Sequence, residues 1–235
     1  MLLKLEKVNA YYGVLKILHD IDMDVREGEL VVIMGPNGSG KSTLLKTIMG
    51  LLRTVTGSIK FQGEEIRGFP PYLIAELGIS WAGETSPIFP DLTVLENLLV
   101  ASYLPRARKK RKENLKIVFD LFPVLEERKN QRAGTLSGGQ RKMLSIACCL
   151  MTSPKLLLVD EPSLGLAPKI ADTIWSYLRK LRDMGLTLLV VEENIFKALN
   201  MADRGYVLEH GKIVREGDAK TLLKDERVVK AYIGK

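Results

Sequence analysis

The chain is poor in the residues that usually carry redox and metal chemistry. Its 235 residues include two cysteines and two histidines. The cysteines, Cys148 and Cys149, are adjacent. Neighbouring cysteines make a poor structural disulfide, because bridge geometry wants separated, facing Cα atoms. They are expected to be small buried packing residues in a reducing compartment. No Cys/His cluster has zinc spacing. His19 and His210 lie far apart, in strand-like contexts, and read as structural or surface residues. Also lacking is any apolar run near the ~18–20 residues that cross a bilayer. Residues 1–6 alternate like a strand and lack the long apolar core of a signal peptide. The expectation is a cytoplasmic protein whose membrane role comes through partners. There is no internal repeat and no low-complexity linker.

With 46% hydrophobic and 27% charged residues, the composition is that of an ordinary soluble globular chain, sized for one domain with room for a subdomain. The formal net charge is +7. The excess is concentrated in Arg106-Ala107-Arg108-Lys109-Lys110-Arg111-Lys112. Such a run is either a solvated helix face or an attraction to anionic lipid headgroups. No aromatics interleave it and no recognition motif accompanies it, so no nucleic-acid partner is expected.

The pattern alternates strands and helices. Strands are expected over residues 2–8, 17–25 and 30–34, the last a continuous apolar run of the kind covered on both faces. A helix follows over about 41–49, a strand over 57–61, a short helix over 70–77 and a strand over 78–82. From about 89 to 150 the chain turns mostly helical. Thr93 and Glu96 have capping-box spacing. A second helix carries Leu115, Val118, Phe119 and Phe122, and Pro123 ends it. Ser137 is a candidate cap for a helix running through Leu150. Alternation resumes with a strand at 156–159, a helix at 170–182, a strand at 186–191, a helix at about 195–201 and strands at 205–208 and 212–215. This predicts an α/β fold: a mainly parallel sheet flanked by helices, an antiparallel β subdomain and a helical insert. The core with the β subdomain spans about 1–88 and 151–235, and the helical subdomain about 89–150.

Three motifs carry chemistry. Gly35-Pro36-Asn37-Gly38-Ser39-Gly40-Lys41-Ser42-Thr43 fits the phosphate loop, with a strand before and a helix after. Its glycines let backbone N–H groups turn inward around phosphates, and the helix points its positive end at the same anion. Lys41 can reach the β- and γ-phosphates, and the Ser42 hydroxyl can ligate Mg2+. Leu156-Leu157-Leu158-Val159-Asp160-Glu161-Pro162 is an apolar strand ending in two carboxylates. Asp160 suits Mg2+, and Glu161 is the better general base for a water attacking the γ-phosphate. Between them lies Leu136-Ser137-Gly138-Gly139-Gln140, a hydroxyl, exposed N–H groups and a helix N-terminus that together make an anion site.

Those motifs, in that order, resemble the ABC ATPases, the paired motors of membrane transporters. The resemblance implies ATP and Mg2+ as ligands. It implies a dimer in which Ser137, Gly138, Gly139 and Gln140 of one chain complete the ATP site on the other. It places an adenine-stacking aromatic at Tyr12, with Tyr11 as its rival. It places a first switch residue at Glu84, which can ligate Mg2+ or orient water. The second switch falls at Glu193, where most members have His; an anion there repels a triphosphate unless protonated, paired or turned away. A strand-end residue facing solvent is the competing reading of Glu193, and an alignment one residue out would put Glu192 in its place.

The phrases Tyr11-Tyr12-Gly13, Ile88-Phe89-Pro90, residues 161–168 and residues 204–209 narrow the resemblance to the smaller ATPase subunit of branched-chain amino-acid importers. Glu84 fits that branch. Glu193, Cys148 and the Gln140-Arg141-Lys142 wording depart from it. The implied role is an import motor, peripheral on the inner face of the cell membrane. Its implied partners are a second ATPase chain, permease subunits and, indirectly, a solute-binding protein. Another ABC system (urea or other solutes), or a nucleotide-binding subunit that hydrolyses weakly at its own site, is the alternative.

Overall fold

The computed structural model describes residues 1–83 and 88–228. Two sheets organise them. One has four strands in the order β2-β1-β4-β5: β1 Leu3–Tyr12, β2 Leu15–Val25, β4 Thr54–Phe61 and β5 Glu64–Glu65, all antiparallel. The other has six, in the order β10-β9-β3-β8-β7-β6. Its members are β3 Leu30–Met34, β6 Ile79–Ala82, β7 Leu156–Asp160, β8 Thr187–Glu192, β9 Arg204–Glu209 and β10 Lys212–Asp218. They pair in parallel except for β10, which returns antiparallel on β9. The α/β reading with a mainly parallel sheet and a separate antiparallel sheet is therefore correct.

The continuous apolar runs behave as strands covered on both faces. Every residue of β3, β7 and β8 is buried. Side chains alternate across a strand, and the two faces feed two cores. Leu30, Val32, Leu157, Val159, Leu188 and Val190 join the core under the helices. Val31, Ile33, Leu156, Leu158, Leu189 and Val191 join the core under the antiparallel sheet and α1, Lys41–Ile48. Arg204 on β9 ties the two sheets together, donating to Asp24 Oδ2 on β2 at 3.0 Å and to Glu29 Oε2 at 3.1 Å.

Residues 93–151 are largely helical: α3 Val94–Ala101, α4 Pro105–Lys109, α5 Arg111–Leu121, α6 Pro123–Glu127 and α7 Gly138–Met151. Thr93 and Glu96 form the expected capping box. Pro123 does more than end α5. It occupies the first turn of α6, where its missing N–H costs nothing. His210 lies in the exposed turn between β9 and β10 rather than within a strand.

The basic run is not a uniform solvated face. Arg106 is half-buried and works as a clasp. Its guanidinium donates to Glu76 O at 2.5 Å and Ala75 O at 2.7 Å, in the last turn of α2, Pro71–Leu77. Its Nε donates to Thr152 O, just past α7, at 3.2 Å. These carbonyls lie at the C-terminal ends of their helices, where a cation is favourable; that of Ala75 also accepts the Gly78 N–H at 3.2 Å. Arg108, Lys109, Lys110 and Lys112 remain exposed. Replacing Arg106 with Met is expected to cost about 2 kcal/mol. Lys109→Met is expected to stay within about 0.5 kcal/mol of the parent. Urea unfolding of the two variants separates clasp from solvated charge.

Candidate functional site

The parallel sheet sends the C-terminal ends of β3, β7 and β8 to one edge, where Met34 sits beside Glu192 and Asp160 beside Val191. Open α/β sheets bind ligands outside such ends. The loop after β3 fits a polyphosphate on this structure's own geometry. A Cβ at Gly35 would lie 2.1 Å from the Leu208 carbonyl oxygen, so no larger residue fits there. Gly38 (φ 78°) and Gly40 (φ 107°) take left-handed conformations that favour glycine. Pro36, Asn37 and Gly38 form the exposed loop tip. Ser39 Oγ is buried with no hydrogen-bond partner, an unmet polar demand facing the inside of the loop.

Lys41 opens α1 and is only 4% exposed. Its ammonium donates to Gly35 O at 2.8 Å and Pro36 O at 3.1 Å, folded back over the loop it would share with phosphates. The same Nζ lies 3.8 Å from Glu161 Oε1. Beside it, Ser42 Oγ donates to Asp160 Oδ1 at 3.1 Å. A hydroxyl and a buried carboxylate at that spacing are a fitting pair of hard oxygen donors for Mg2+. Thr43 accepts the Thr47 hydroxyl on its carbonyl and so braces the first turn.

Glu161 sits in the left-handed region at φ 44°, uncommon for a residue with a Cβ. Its N–H donates to Val191 O at 3.0 Å, which pins it to the end of β8. Burial raises its carboxyl above the ordinary value; Lys41 pulls it down, and Glu193, Asp160 and Glu192 push it up. A carboxylate raised in this way is better matched to proton abstraction near neutral pH.

Ser137, Gly138, Gly139 and Gln140 start α7. Ser137 Oγ accepts from Gln140 N at 3.3 Å, and Gln140 Oε1 accepts from Ser137 N at 3.0 Å. The Gln140 carboxamide is thus engaged in a capping box within its own turn. Among the described residues, no hydrogen bond joins 137–140 to 35–43. Gly139 packs tightly, since a Cβ there would meet Ile170 at 2.5 Å.

Tyr12 is 45% exposed at the tip of β1, whereas Tyr11 is half-buried. Glu84 lies outside the described residues. Glu193 follows β8 half-buried, and its charge reaches Glu161. Glu192, which an alignment one residue out would put in the place of Glu193, differs from it in burial. Glu192 is 4% exposed and turned to another task. Its Oε1 accepts the N–H groups of Glu193 at 2.9 Å and Asn194 at 3.3 Å, and its Oε2 accepts the Ser163 hydroxyl. Lys142 was singled out only as unusual wording. Its ammonium donates to Asp160 O at 2.7 Å. A spacing of i+5 from a helix cap gave no signal of that reach.

Cys148 and Cys149 are free and half-buried rather than fully buried. They line a groove of about 610 Å³ between the core and the helical segment, with Ser80, Trp81, Phe89, Val100 and Ala101. Burial raises both thiols, Cys149 to about 12, so both stay protonated packing groups.

Comparison with known proteins agrees with this geometry. The ABC transporter family model matches residues 18–164. The chain is 44% identical to the high-affinity branched-chain amino acid transport ATP-binding protein BraG of Pseudomonas aeruginosa, over 99% of this chain and 100% of that protein. It is 40% identical to the probable branched-chain amino acid transport ATP-binding protein LivF of Archaeoglobus fulgidus, over 99% of each. A solved ADP conformation of an ATP-binding cassette of an ABC transporter superposes with TM-score 0.85 at 34% identity, covering 100% of this chain and 99% of that one.

The raised Glu161 carboxyl makes a stability prediction. Its ordinary value is 4.5. Below that, the group is neutral in both folded and unfolded chains and costs nothing. As pH rises, the unfolded chain ionises it more readily, so folded stability is lost through the window above the ordinary value. Glu161→Gln is therefore expected to raise the melting temperature of the nucleotide-free chain at pH 7.5, and the gain should vanish near pH 4. Thermal melts at the two pH values check this.

Proposed function

The chain belongs to the ABC transporter family as an ATPase whose turnover is coupled to transport, and from that premise we propose that it drives uptake of branched-chain or other hydrophobic amino acids. The observation that carries the reading is the meeting of Lys41 with Glu161 and of Ser42 with Asp160 at one sheet edge. In this reading residues 35–43 hold the ATP phosphates and Tyr12 stacks on adenine. Ser42 and Asp160, with Glu84, hold Mg2+. The bound ion supplies charge neutralisation at the β- and γ-phosphates. Lys41 leaves its loop carbonyls for phosphate oxygens and so unmasks Glu161. Glu161 takes the proton of an in-line water. Glu193, close enough to raise the base, keeps that carboxyl basic at some cost in repulsion from the γ-phosphate.

Ser137, Gly138, Gly139 and Gln140 serve the ATP of a second chain. In support, none of them bonds to this chain's own phosphate loop. The pair closes over two ATPs and reopens after hydrolysis. The helical unit, about 89–150, carries this segment to the partner, while 1–88 and 151–235 form the core. The partner is a related ATPase, so the dimer is a heterodimer in the cell. The groove lined by Trp81, Phe89 and Val100 takes a permease segment, with a solute-binding protein on the far side. No described helix is long and apolar enough to cross a membrane. The chain accordingly works on the inner face of the cell membrane, held there by permease subunits.

Glu161→Gln is expected to abolish turnover of the reconstituted complex and trap an ATP-bound dimer; undiminished turnover would sink the assignment of the base. Glu193→Gln should leave turnover within about twofold or raise it, because the substitution removes repulsion without removing the base. For the solute, ATPase stimulation by leucine-loaded binding protein is expected, and stimulation by urea alone would redirect the reading to another solute class.

A further inference from the structure

The peptide unit between Asp160 and Glu161 is held from both sides. Its N–H, belonging to Glu161, donates to Val191 O at 3.0 Å. Its carbonyl, belonging to Asp160, accepts from Lys142 Nζ at 2.7 Å. The orientation of that plane fixes the φ of Glu161, which lies at 44°, in the left-handed region. An unrestrained glutamate would leave that region. The same ammonium lies 3.5 Å from Gly83 O, at the end of the neighbouring strand β6. Lysine suits this place: a compact charge on a flexible stem can serve two carbonyls at once. Lys142 also belongs to α7, the helix capped by Ser137. One helix therefore carries both the segment offered to a partner's ATP and the cation that grips this chain's own base-bearing peptide.

We propose that Lys142 is a positioning residue for hydrolysis: by holding the Asp160 carbonyl it keeps the Asp160–Glu161 peptide turned so that Glu161 points at the attacking water. The inference deepens the reading of Glu161 as base and rests on it. Val191 alone holds one edge of the peptide, and a plane held at one edge can rotate.

The test is steady-state ATPase of the reconstituted complex, with binding of a fluorescent ATP analogue measured in parallel. Lys142→Met is expected to lower kcat by at least about tenfold, the scale of loss for a misplaced catalytic group. The KM for ATP and analogue binding should stay within about twofold, and Lys142→Arg should recover much of the loss. A kcat within twofold of the parent overturns the proposal. So does a parallel fall in analogue binding, which would mark a merely structural role. Full turnover in Glu161→Gln alone instead removes the base assignment, and the two failures are told apart.

Discussion

A strand buried on both faces has no place for a polar group except at its ends. That constraint governs the molecule. β3, β7 and β8 are buried along their whole length, so alternate residues are committed to one core or the other. Chemistry is expelled to the strand termini. Parallel pairing brings the C-termini to one edge, so Gly35, Asp160, Glu161, Glu192 and Glu193 converge although they are far apart in the chain. The antiparallel sheet and the helical segment complete the two cores. Neither supplies the acids of this edge.

The convergence brings an electrostatic problem. Asp160, Glu161, Glu192 and Glu193 crowd one edge, and burying carboxylates without partners is costly. Each of the two deepest meets a different answer. Glu192 has two backbone N–H groups and a hydroxyl. Asp160 has the Ser42 hydroxyl. Glu161 is left with a distant ammonium at 3.8 Å and a raised carboxyl. The residue least satisfied is the one proposed as the base. Its backbone is strained as well, at a cost on the order of 1–3 kcal/mol for a left-handed residue with a Cβ. A hydrogen bond from a charged donor contributes roughly 1.5–3 kcal/mol. The contact from Lys142 is thus of the right size to hold the strain, and neither term overwhelms the other.

This balance also explains what could be read from the chain alone. Local rules reached far: the apolar runs gave the buried strands, Thr93 with Glu96 and Ser137 as a cap gave helix starts, and glycine spacing gave the phosphate loop. These depend on neighbours within a few residues. What escaped depends on groups brought together by the fold. The charge of Arg106 was visible, but its target carbonyls belong to two helix ends some 30 and 46 residues away. Glu192 looked interchangeable with Glu193 until burial separated them. Cys148 and Cys149 were read as packing residues, yet a groove between two units exposes one side of each. Pro123 was read as a stop because nothing local showed that a second helix could start on it.

The residues 137–142 then acquire two directions. Ser137 and Gln140 close a capping box on themselves at the start of α7, where Gly138 is exposed and Gly139 is buried against Ile170. Two residues past Gln140, Lys142 faces inward to Asp160. Both ends belong to one helix, so a displacement of α7 would carry them together. In the proposed dimer, a chain whose ATP site is completed by a partner has to sense that the partner has arrived. A helix gripping its own base-bearing peptide does so without a separate sensor. Under that proposal the ammonium at 142 has a physical reason.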